Sequence, residues 1–513
     1  MNPMRSIVWG SLLAIAGLVA LLAWNSAPPP RAPLSEPLLV YCAAGLKPAV
    51  EAAAADYQRE QKVSVQLQYG GSGTLLSNLK VAQRGDLFIP GDASFVELGR
   101  SNGLLAEVMP VARMSAVIAV ARGNPKGIGS VRDLLRDGVR VSLGNPESVA
   151  IGAVARTALV RSGDWPALSA RALVFKPTVN DVANDVKLGA VDAGIVWDAT
   201  LHQYPELEPV RVPELASARS EVSVCVLRSS TQPTEALRFA RYLSARDRGM
   251  RRFQEAGFEG VAGDVWKPRP SVLLYSGSVN RSAAEPTLRE FEQREGVEIS
   301  RVYNGCGILT AQIRSGQRPD AYFACDVSFM ETVQKEFQPA VALARTSLVL
   351  AVRKGNPAKI EGLADLTRPS LKVGVCHEDQ SALGALSARL LRSAGVWDAV
   401  RAHLAVQAPT GDLLVNQLRS GALDVALVYA PNTSAVADTI DRIPLSGPGT
   451  LAIQPYAVGR DSDHAQLMSR LLRALENKHL RAIGHPTGRL LLHRDPFPFD
   501  FDANPSLADW ANL

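Results

Sequence analysis

Residues 69–75 read YGGSGTL, and residues 303–309 repeat the pattern as YNGCGIL. The stretch that precedes the first copy, residues 38–45 (LLVYCAAG), returns in the same order at residues 272–278 (VLLYSGS). Three further pairs of blocks keep this spacing of 232 to 234 residues, namely 86–92 with 320–326, 121–125 with 353–357, and 189–197 with 421–429. A constant spacing over five separated blocks indicates an internal duplication, so the chain carries two homologous modules.

The length of the chain agrees with two large modules, because 513 residues are too many for one domain of about 150 residues. The duplication predicts six regions: a signal or membrane anchor at 1–27, a proline-rich linker at 28–37, a first module at 38–266, a short linker at 267–270, a second module at 271–487 and a C-terminal extension at 488–513. The extension has no counterpart in the first module, and we assign it no function.

Each module alternates short apolar runs with helical patterns. Residues 115–121 and 222–227 are apolar runs of strand length, whereas residues 48–59 and 236–243 have the pattern of helices. This alternation predicts an α/β fold with mostly parallel strands. Parallel sheets bind ligands at the carboxyl ends of their strands, so the loops there are the candidate sites.

The composition excludes several classes of protein. With 47% apolar and 20% charged residues, the chain fits neither a disordered protein nor a polytopic membrane protein. Its 55 basic and 50 acidic residues are too evenly balanced to indicate a nucleic-acid partner. Five cysteines in so long a chain do not make a disulfide scaffold.

The sequence lacks the common motifs of catalysis. It contains no Gly-x-Ser-x-Gly elbow, no Gly-Lys-Ser/Thr phosphate loop, no His-Glu-x-x-His and no Cys-x-x-Cys. We therefore expect no enzyme, no catalytic residues, no cofactor and no metal. The densest polar cluster, residues 377–379 (HED) beside Cys376, predicts a solvated loop at a helix start, with a metal or ligand contact as the alternative.

The N-terminus indicates export. Arg5 precedes an apolar run over residues 7–24, which ends at Asn25 and a proline-rich stretch. The run is short for a spanning helix and long for the core of a cleavable signal. We favour an uncleaved anchor, and with Arg5 on the cytoplasmic side the positive-inside rule places the rest of the chain in the periplasm or its equivalent.

The glycine-rich loop at residues 70–74 lies between a strand pattern and a helical stretch at residues 75–83. Free backbone N–H groups, the positive end of a helix and a hydroxyl together attract a small anion without a charged side chain. The alternative is an ordinary helix N-cap. Two more loops of this kind, at residues 43–46 and 144–149, favour the anion site.

The ordered set of residues 43–46, 71–75, 86–92, 144–147 and 192–197 resembles the molybdate-binding protein family of bacterial ABC importers. The resemblance covers residues 38–487 and implies two type II periplasmic-binding-protein folds in tandem. Each would have two α/β lobes that close on a tetrahedral oxyanion, held by backbone N–H groups and hydroxyls. It also implies that residues near 38–115 and those after about 210 share one lobe, as do residues 271–346 and those after about 440.

The resemblance implies a set of ligand positions in each module. Those of the first module are Gly45, Ser72, Gly91, Val149, Val179 and Trp197, and those of the second are Ser278, Cys306, Cys325, Ser381, Gly411 and Tyr429.

The family offers a serine hydroxyl in each of its first two loops, and this chain departs from that pattern. It keeps only Ser72 in the first module and only Ser278 in the second. Trp197 also replaces a tyrosine that Tyr429 preserves. The resemblance implies binding of a small oxyanion such as molybdate or tungstate, with uptake through separate permease and ATPase partners. The departures predict different affinities in the two clefts. The alternatives are a sensor or scaffold with one or both clefts degenerate, and a thiol-based metal or metalloid binder in the second module.

Cys306 and Cys325 stand at positions that, by the resemblance, contact the same oxyanion. They should then lie close enough to bridge, and an exported location favours a disulfide. A free Cys306 at a helix N-terminus would have its pKa lowered, and its thiolate would repel a dianion in the same cleft. Free thiols kept protonated by their surroundings are therefore the second outcome. A site for a soft cation, with Cys376 as a third thiol, is the third.

Overall fold

The computed structural model describes residues 36–478. The expected anchor at 1–27, most of the linker at 28–37 and the extension at 488–513 lie outside the described residues. Within residues 36–478, no helix combines the length and apolar character needed to cross a membrane.

The first module contains ten strands and eight α-helices within the described part of the chain. The strands are β1 (Leu38–Ala43), β2 (Val65–Gly70), β3 (Leu87–Ile89), β4 (Leu105–Ala121), β5 (Val141–Gly144), β6 (Val174–Lys176), β7 (Ala193–Trp197), β8 (Leu207–Val210), β9 (Arg219–Leu227) and β10 (Glu259–Gly260). The helices are α1 (Lys47–Gln61), α2 (Ser72–Ala82), α3 (Ala93–Ser101), α4 (Ala150–Ser162), α5 (Trp165–Arg171), α6 (Val179–Lys187), α7 (Pro233–Leu243) and α8 (Gly249–Glu255).

The second module repeats this series of elements, except that its described residues contain no counterpart of α8 or β10. Its strands are β11 (Ser271–Gly277), β12 (Glu298–Asn304), β13 (Ala321–Phe323), β14 (Val341–Arg353), β15 (Val373–Cys376), β16 (Leu404–Ala408), β17 (Val425–Tyr429), β18 (Ile440–Pro444) and β19 (Leu451–Val458). Its helices are α9 (Arg281–Glu295), α10 (Cys306–Arg314), α11 (Val327–Glu331), α12 (Ala382–Ser393), α13 (Trp397–Arg401), α14 (Gly411–Arg419) and α15 (Ala465–Lys478).

The two modules have the same sheet topology. The strand order is β2-β1-β3-β9-β4-β7-β5-β6 in the first and β12-β11-β13-β19-β14-β17-β15-β16 in the second. Val40 pairs with Leu87 as Leu274 pairs with Ala321, so the first strands are equivalent. The predicted α/β fold and tandem duplication are confirmed.

One long strand in each module joins two lobes. In the first module, residues 105–115 of β4 pair with β9, and residues 116–121 pair with β7 and β8. The lobes therefore share β4, and the chain returns to the first lobe through β9, as predicted. In the second module β18 still pairs with the second-lobe half of β14, so the return follows Pro444 and comes slightly later than expected.

The strands are less uniformly parallel than predicted. Within the lobes β1 runs parallel to β2 and β3, and β5 runs parallel to β6 and β7. The strands that connect the lobes, β4 and β9, run antiparallel to their neighbours. Helices cover both faces of the parallel parts, which is why β1 and β7 are almost entirely apolar and buried.

Candidate functional site: the clefts between the lobes

A small cavity lies where the two lobes of the first module meet. Its walls are the 3-10 turn Ala44–Leu46, the ends of β2 and β7, and the N-termini of α2, α4 and α6. Within the described part of the chain, every lining side chain is uncharged: Ala43, Ala44, Gly45, Leu46, Gly70, Gly71, Ser72, Gly91, Met114, Val149, Ala150, Ile151, Thr178, Val179 and Trp197. All six ligand positions expected for this module are among them.

Three helix N-termini converge on this cavity. They begin at Ser72, Ala150 and Val179. The first backbone N–H groups of a helix have no partner within it, and each N-terminus carries a partial positive charge. The cavity therefore has the electrostatics of an anion site without any cationic side chain.

Ser72 is a ligand candidate rather than a helix cap. The N-cap of α2 is Gly71, and Ser72 is the first helical residue. Its side chain is only 1% exposed, and its Oγ accepts a hydrogen bond of 3.0 Å from the backbone N–H of Gly91. Because the hydroxyl accepts there, its own proton can be donated into the cavity.

Gly45, Val179 and Trp197 pack together at one wall. A Cβ on Gly45 would lie 2.8 Å from Val179 Cγ1 and 3.9 Å from the indole of Trp197. A side chain at Gly45 therefore has no room here. The wall is apolar, so anion recognition falls to the backbone and to Ser72.

Sequence reasoning missed one hydroxyl near this wall. Thr200 lies in the 3-10 turn Ala199–Gln203 after β7, is 1% exposed, and within residues 36–478 its Oγ1 has no hydrogen-bond partner. The oxygen is 3.8 Å from the position of a Cβ on Gly45. A threonine in a short turn gives no pattern in the sequence, so only the fold places it beside the cleft.

The lobes of each module are in direct contact at the cleft. Gly73 N–H donates to Ser148 O at 2.9 Å, and Gly307 N–H donates to Gln380 O at 3.0 Å. A Cβ on Gly73 would lie 2.8 Å from Glu147 O, and one on Gly307 would lie 1.9 Å from Asp379 O. The glycines after Ser72 and Cys306 thus allow the lobes to close.

The second module places its expected residues on equivalent elements. Cys306 begins α10, Ser381 is the N-cap of α12, Gly411 begins α14 and Tyr429 ends β17. Cys325 precedes α11 as Gly91 precedes α3.

The strand register corrects one pairing. Ser278 begins the 3-10 turn Ser278–Asn280, and its counterpart is Ala44, the first residue of the turn Ala44–Leu46, rather than Gly45. The one-residue error arose because the short apolar runs align equally well at two spacings.

Cys306 repeats the hydrogen bond of Ser72. Its Sγ accepts from the backbone N–H of Cys325 at 3.1 Å, as Ser72 Oγ accepts from Gly91. All five cysteines are buried free thiols, so of the three expected outcomes the structure has free thiols rather than a disulfide. The Cys306 sulfur already accepts a hydrogen bond from the backbone amide of Cys325.

The pKa values of Cys306 and Cys325 are shifted in opposite directions. Burial raises the pKa of the Cys306 thiol, but hydrogen bonds from the thiol and the backbone N–H of Cys325 outweigh it, so that the pKa is lowered overall. The hydrogen bond to Cys306, together with burial, raises the pKa of Cys325 well above its ordinary value. Cys306 is therefore the member of the pair that favours the thiolate.

Tyr429 contributes a hydroxyl to the second cleft. Its side chain is 2% exposed, and in the described part of the chain its OH has no hydrogen-bond partner. Burial, together with the nearby Cys325, raises its pKa well above the ordinary value, so it stays a neutral donor.

The cluster beside Cys376 is structural. Glu378 forms two hydrogen bonds with Arg392, at 2.6 and 2.8 Å, and burial raises the pKa of Cys376 to about 12. Among residues 36–478, no three His, Cys, Asp or Glu side chains are grouped to hold a metal ion. The metal alternative for residues 377–379 therefore gains no support.

Two lobes that share a long strand and close over a cleft lined by helix N-termini define a solute-binding protein. The chain belongs to the bacterial extracellular solute-binding protein family, whose model matches residues 38–259 and 272–489. The family is one of binding proteins rather than enzymes. The expected resemblance to molybdate-binding proteins, in two copies, is confirmed.

Relatives match one module at a time. The molybdate-binding protein ModA of Mycobacterium tuberculosis is 30% identical over 253 residues, which are 48% of this chain and 95% of the relative. A putative ABC transporter substrate-binding lipoprotein of Bacillus subtilis, YvgL, is 25% identical over 230 residues, 43% of this chain and 85% of the relative. The solved periplasmic molybdate-binding protein of Azotobacter vinelandii is 17% identical with a TM-score of 0.38, covering 44% of this chain and 100% of its own.

Proposed function

We propose that the chain is the substrate-binding component of an ABC importer and that its first cleft binds a small tetrahedral oxyanion of the molybdate and tungstate class. The observation that carries this proposal is the convergence of three helix N-termini and the Ser72 hydroxyl on a cavity lined by uncharged side chains. Such a site stabilises an anion through dipoles and hydrogen bonds. The molybdate-binding relatives support the choice of ligand.

The partners and the location complete the proposal. The sequence has no phosphate loop, so a separate permease and a separate ATPase would supply the channel and the energy. The apolar run at residues 7–24 would hold the modules at the outer face of the inner membrane. The chain itself would catalyse no reaction and need no cofactor.

The test is a calorimetric titration of the full chain with molybdate, tungstate, sulfate and phosphate. We expect tight binding of molybdate or tungstate at one site, in the first module. Tighter binding of phosphate would contradict the proposal, because a protonated phosphate requires an acceptor and this cavity offers mainly donors. If none of the four anions binds, the oxyanion function is contradicted and the sensor or scaffold is the remaining interpretation.

A further inference from the structure

We propose that the second cleft is a site for a soft, thiophilic metal ion of the Cu(I) and Ag(I) class, held between the sulfurs of Cys306 and Cys325. This site is separate from the oxyanion site of the first module and does not depend on it. Soft ions of this class select thiolate ligands.

The two modules differ at two neighbouring positions of the cleft, where the second module lacks a side chain at one and gains a thiol at the other. In the first module Ala43 carries a methyl group and Gly91 carries none, and a Cβ on Gly91 would lie 3.7 Å from Ala43 Cβ. In the second module the equivalents are Gly277 and Cys325. A Cβ on Gly277 would lie 1.9 Å from the Cys325 sulfur, so the thiol occupies the space that the loss of a methyl group opens. The absence of a side chain at Gly277 thus leaves space for the Cys325 sulfur.

Both sulfurs approach the same point. The position of a Cβ on Gly277 is 1.9 Å from Cys325 Sγ and 3.2 Å from Cys306 Sγ. Both cysteines are buried, and Cys306 lies at the N-terminus of α10, where a negative charge is favoured. Two neighbouring buried sulfurs are the ligand set that a two-coordinate soft ion requires.

The charge of the site favours a cation over an oxyanion. Binding of a monovalent ion releases the two thiol protons and forms two metal–sulfur bonds, with no change of oxidation state. The resulting charge of −1 lies at the positive end of α10, and the unpartnered Tyr429 hydroxyl can donate to a sulfur. A thiolate in the same place would repel a dianion.

The test is a Cu(I) titration of the reduced full chain in competition with a chromophoric Cu(I) chelator, without oxygen. We expect one equivalent of Cu(I) to bind the wild type. Cys306→Ser and Cys325→Ser should each weaken Cu(I) binding by more than about 100-fold. This exceeds the loss typical of a residue that hydrogen-bonds a metal ligand without binding the metal itself. Cys376→Ser should leave it nearly unchanged, since two sulfurs suffice.

The matched control is the triple variant Gly277→Ala, Cys306→Ser, Cys325→Gly, which gives the second cleft the residues of the first at these positions. It should fold as the wild type does and bind no Cu(I) at this site. Equal Cu(I) affinity of the wild type and the triple variant would overturn the proposal. So would a Cys306–Cys325 disulfide, found by thiol counting in protein purified without reductant.

Molybdate binding measured on the same samples separates this inference from the proposed function. Unchanged molybdate binding in the triple variant's first module shows that the protein is intact. If the wild type binds Cu(I) but does not bind molybdate, the oxyanion function alone is refuted.

Discussion

At the scale of single residues, the structure distinguishes two interpretations of Ser72 that the sequence leaves open. A serine after Gly-Gly and before a helix is as typical of a cap as of an anion site. The hydrogen bond from Gly91 N–H to Ser72 Oγ crosses between two loops of the lobe instead of closing the first turn of α2. The hydroxyl is therefore positioned by a neighbouring loop and faces the cavity.

Replacing Ser72 by alanine should weaken molybdate binding to the first module by about 1 to 3 kcal/mol, the cost of leaving a charged oxygen without its donor. The variant also leaves Gly91 N–H unpaired, so a smaller loss of stability is expected. Calorimetry on Ser72→Ala should be compared with Ser101→Ala, an exposed serine at the end of α3. An unchanged dissociation constant for Ser72→Ala would assign the hydroxyl to packing alone.

Replacing Thr200 by valine should separate binding from stability. A buried hydroxyl without a partner costs about 1 to 3 kcal/mol, so the isosteric valine should raise the free energy of unfolding in the absence of ligand. If the hydroxyl turns to the bound oxyanion, the same variant should lower the molybdate affinity. Denaturant unfolding and calorimetry measure the two effects, with the exposed Thr157→Val as the control. Lower stability together with unchanged affinity would show that Thr200 has a hidden structural partner.

At the scale of the elements, the glycines of the repeated loop have a role that the motif did not reveal. Sequence reasoning assigned them to an anion-binding loop, whereas the structure uses Gly71 and Gly73 for the approach of α2 to the second lobe. A Cβ on Gly71 would lie 2.6 Å from Ser148 O. The positions of the helix starts were predictable from local pattern, but this contact joins segments about 75 residues apart in the chain and has no local signal.

Replacing Gly73 by alanine should therefore impair lobe closure. The added Cβ would meet Glu147 O at 2.8 Å, while alanine in a helix is otherwise favourable by about 0.5 to 1 kcal/mol. We expect weaker molybdate binding without a loss of stability in the ligand-free protein. Small-angle scattering with and without molybdate would report closure directly, and Gly129→Ala, at an exposed position, is the control. Normal closure of Gly73→Ala would show that the lobes can shift enough at this contact to accommodate the added Cβ.

At the scale of the whole molecule, the two modules are joined by more than a linker. Glu295 of α9 is fully buried, and its carboxylate pairs with Arg241 of the first module at 3.1 Å and with Arg470 of α15 at 3.0 Å. Asp264 of the first module accepts hydrogen bonds from the first turn of α15. The first lobes of the two modules are thereby held together.

Replacing Glu295 by glutamine should destabilise this junction by about 3 to 5 kcal/mol, because it leaves two buried arginines without their counterion. Burial opposes ionisation of Glu295, but Arg470 and Arg241 outweigh it and lower its pKa to about 2. Its contribution is therefore complete above the unfolded-state pKa of about 4.3 and is lost as the pH falls towards 2.

Thermal unfolding measured between pH 7 and pH 2 should show this acid-dependent loss in the wild type and a weaker one in Glu295→Gln. Glu298→Gln, on the exposed side of β12, should behave as the wild type. Equal stability of Glu295→Gln and the wild type at pH 7 would mean that the modules are held by other contacts.

The duplication made most of the fold predictable, because each module served as a check on the other. The α/β class and the two modules follow from alternating patterns and aligned blocks, and the two lobes and the elements that carry the twelve expected ligand positions follow from the family resemblance. The ion pairs of Glu295 and the exchange of Ala43 and Gly91 for Gly277 and Cys325 did not, because they depend on contacts between distant segments. The disulfide expectation was wrong: chain position predicted that the two cysteines are near each other, but both are free thiols and Cys306 Sγ accepts a hydrogen bond from Cys325 N–H.

A crystal structure of the full chain with molybdate, recorded at the molybdenum absorption edge, tests the oxyanion site directly. We expect an anomalous peak in the first module, within hydrogen-bonding distance of Ser72 Oγ and of the first amides of α2, α4 and α6, and none in the cleft between Cys306 and Cys325. A peak only in the second cleft, or none between the lobes of the first module, would contradict it.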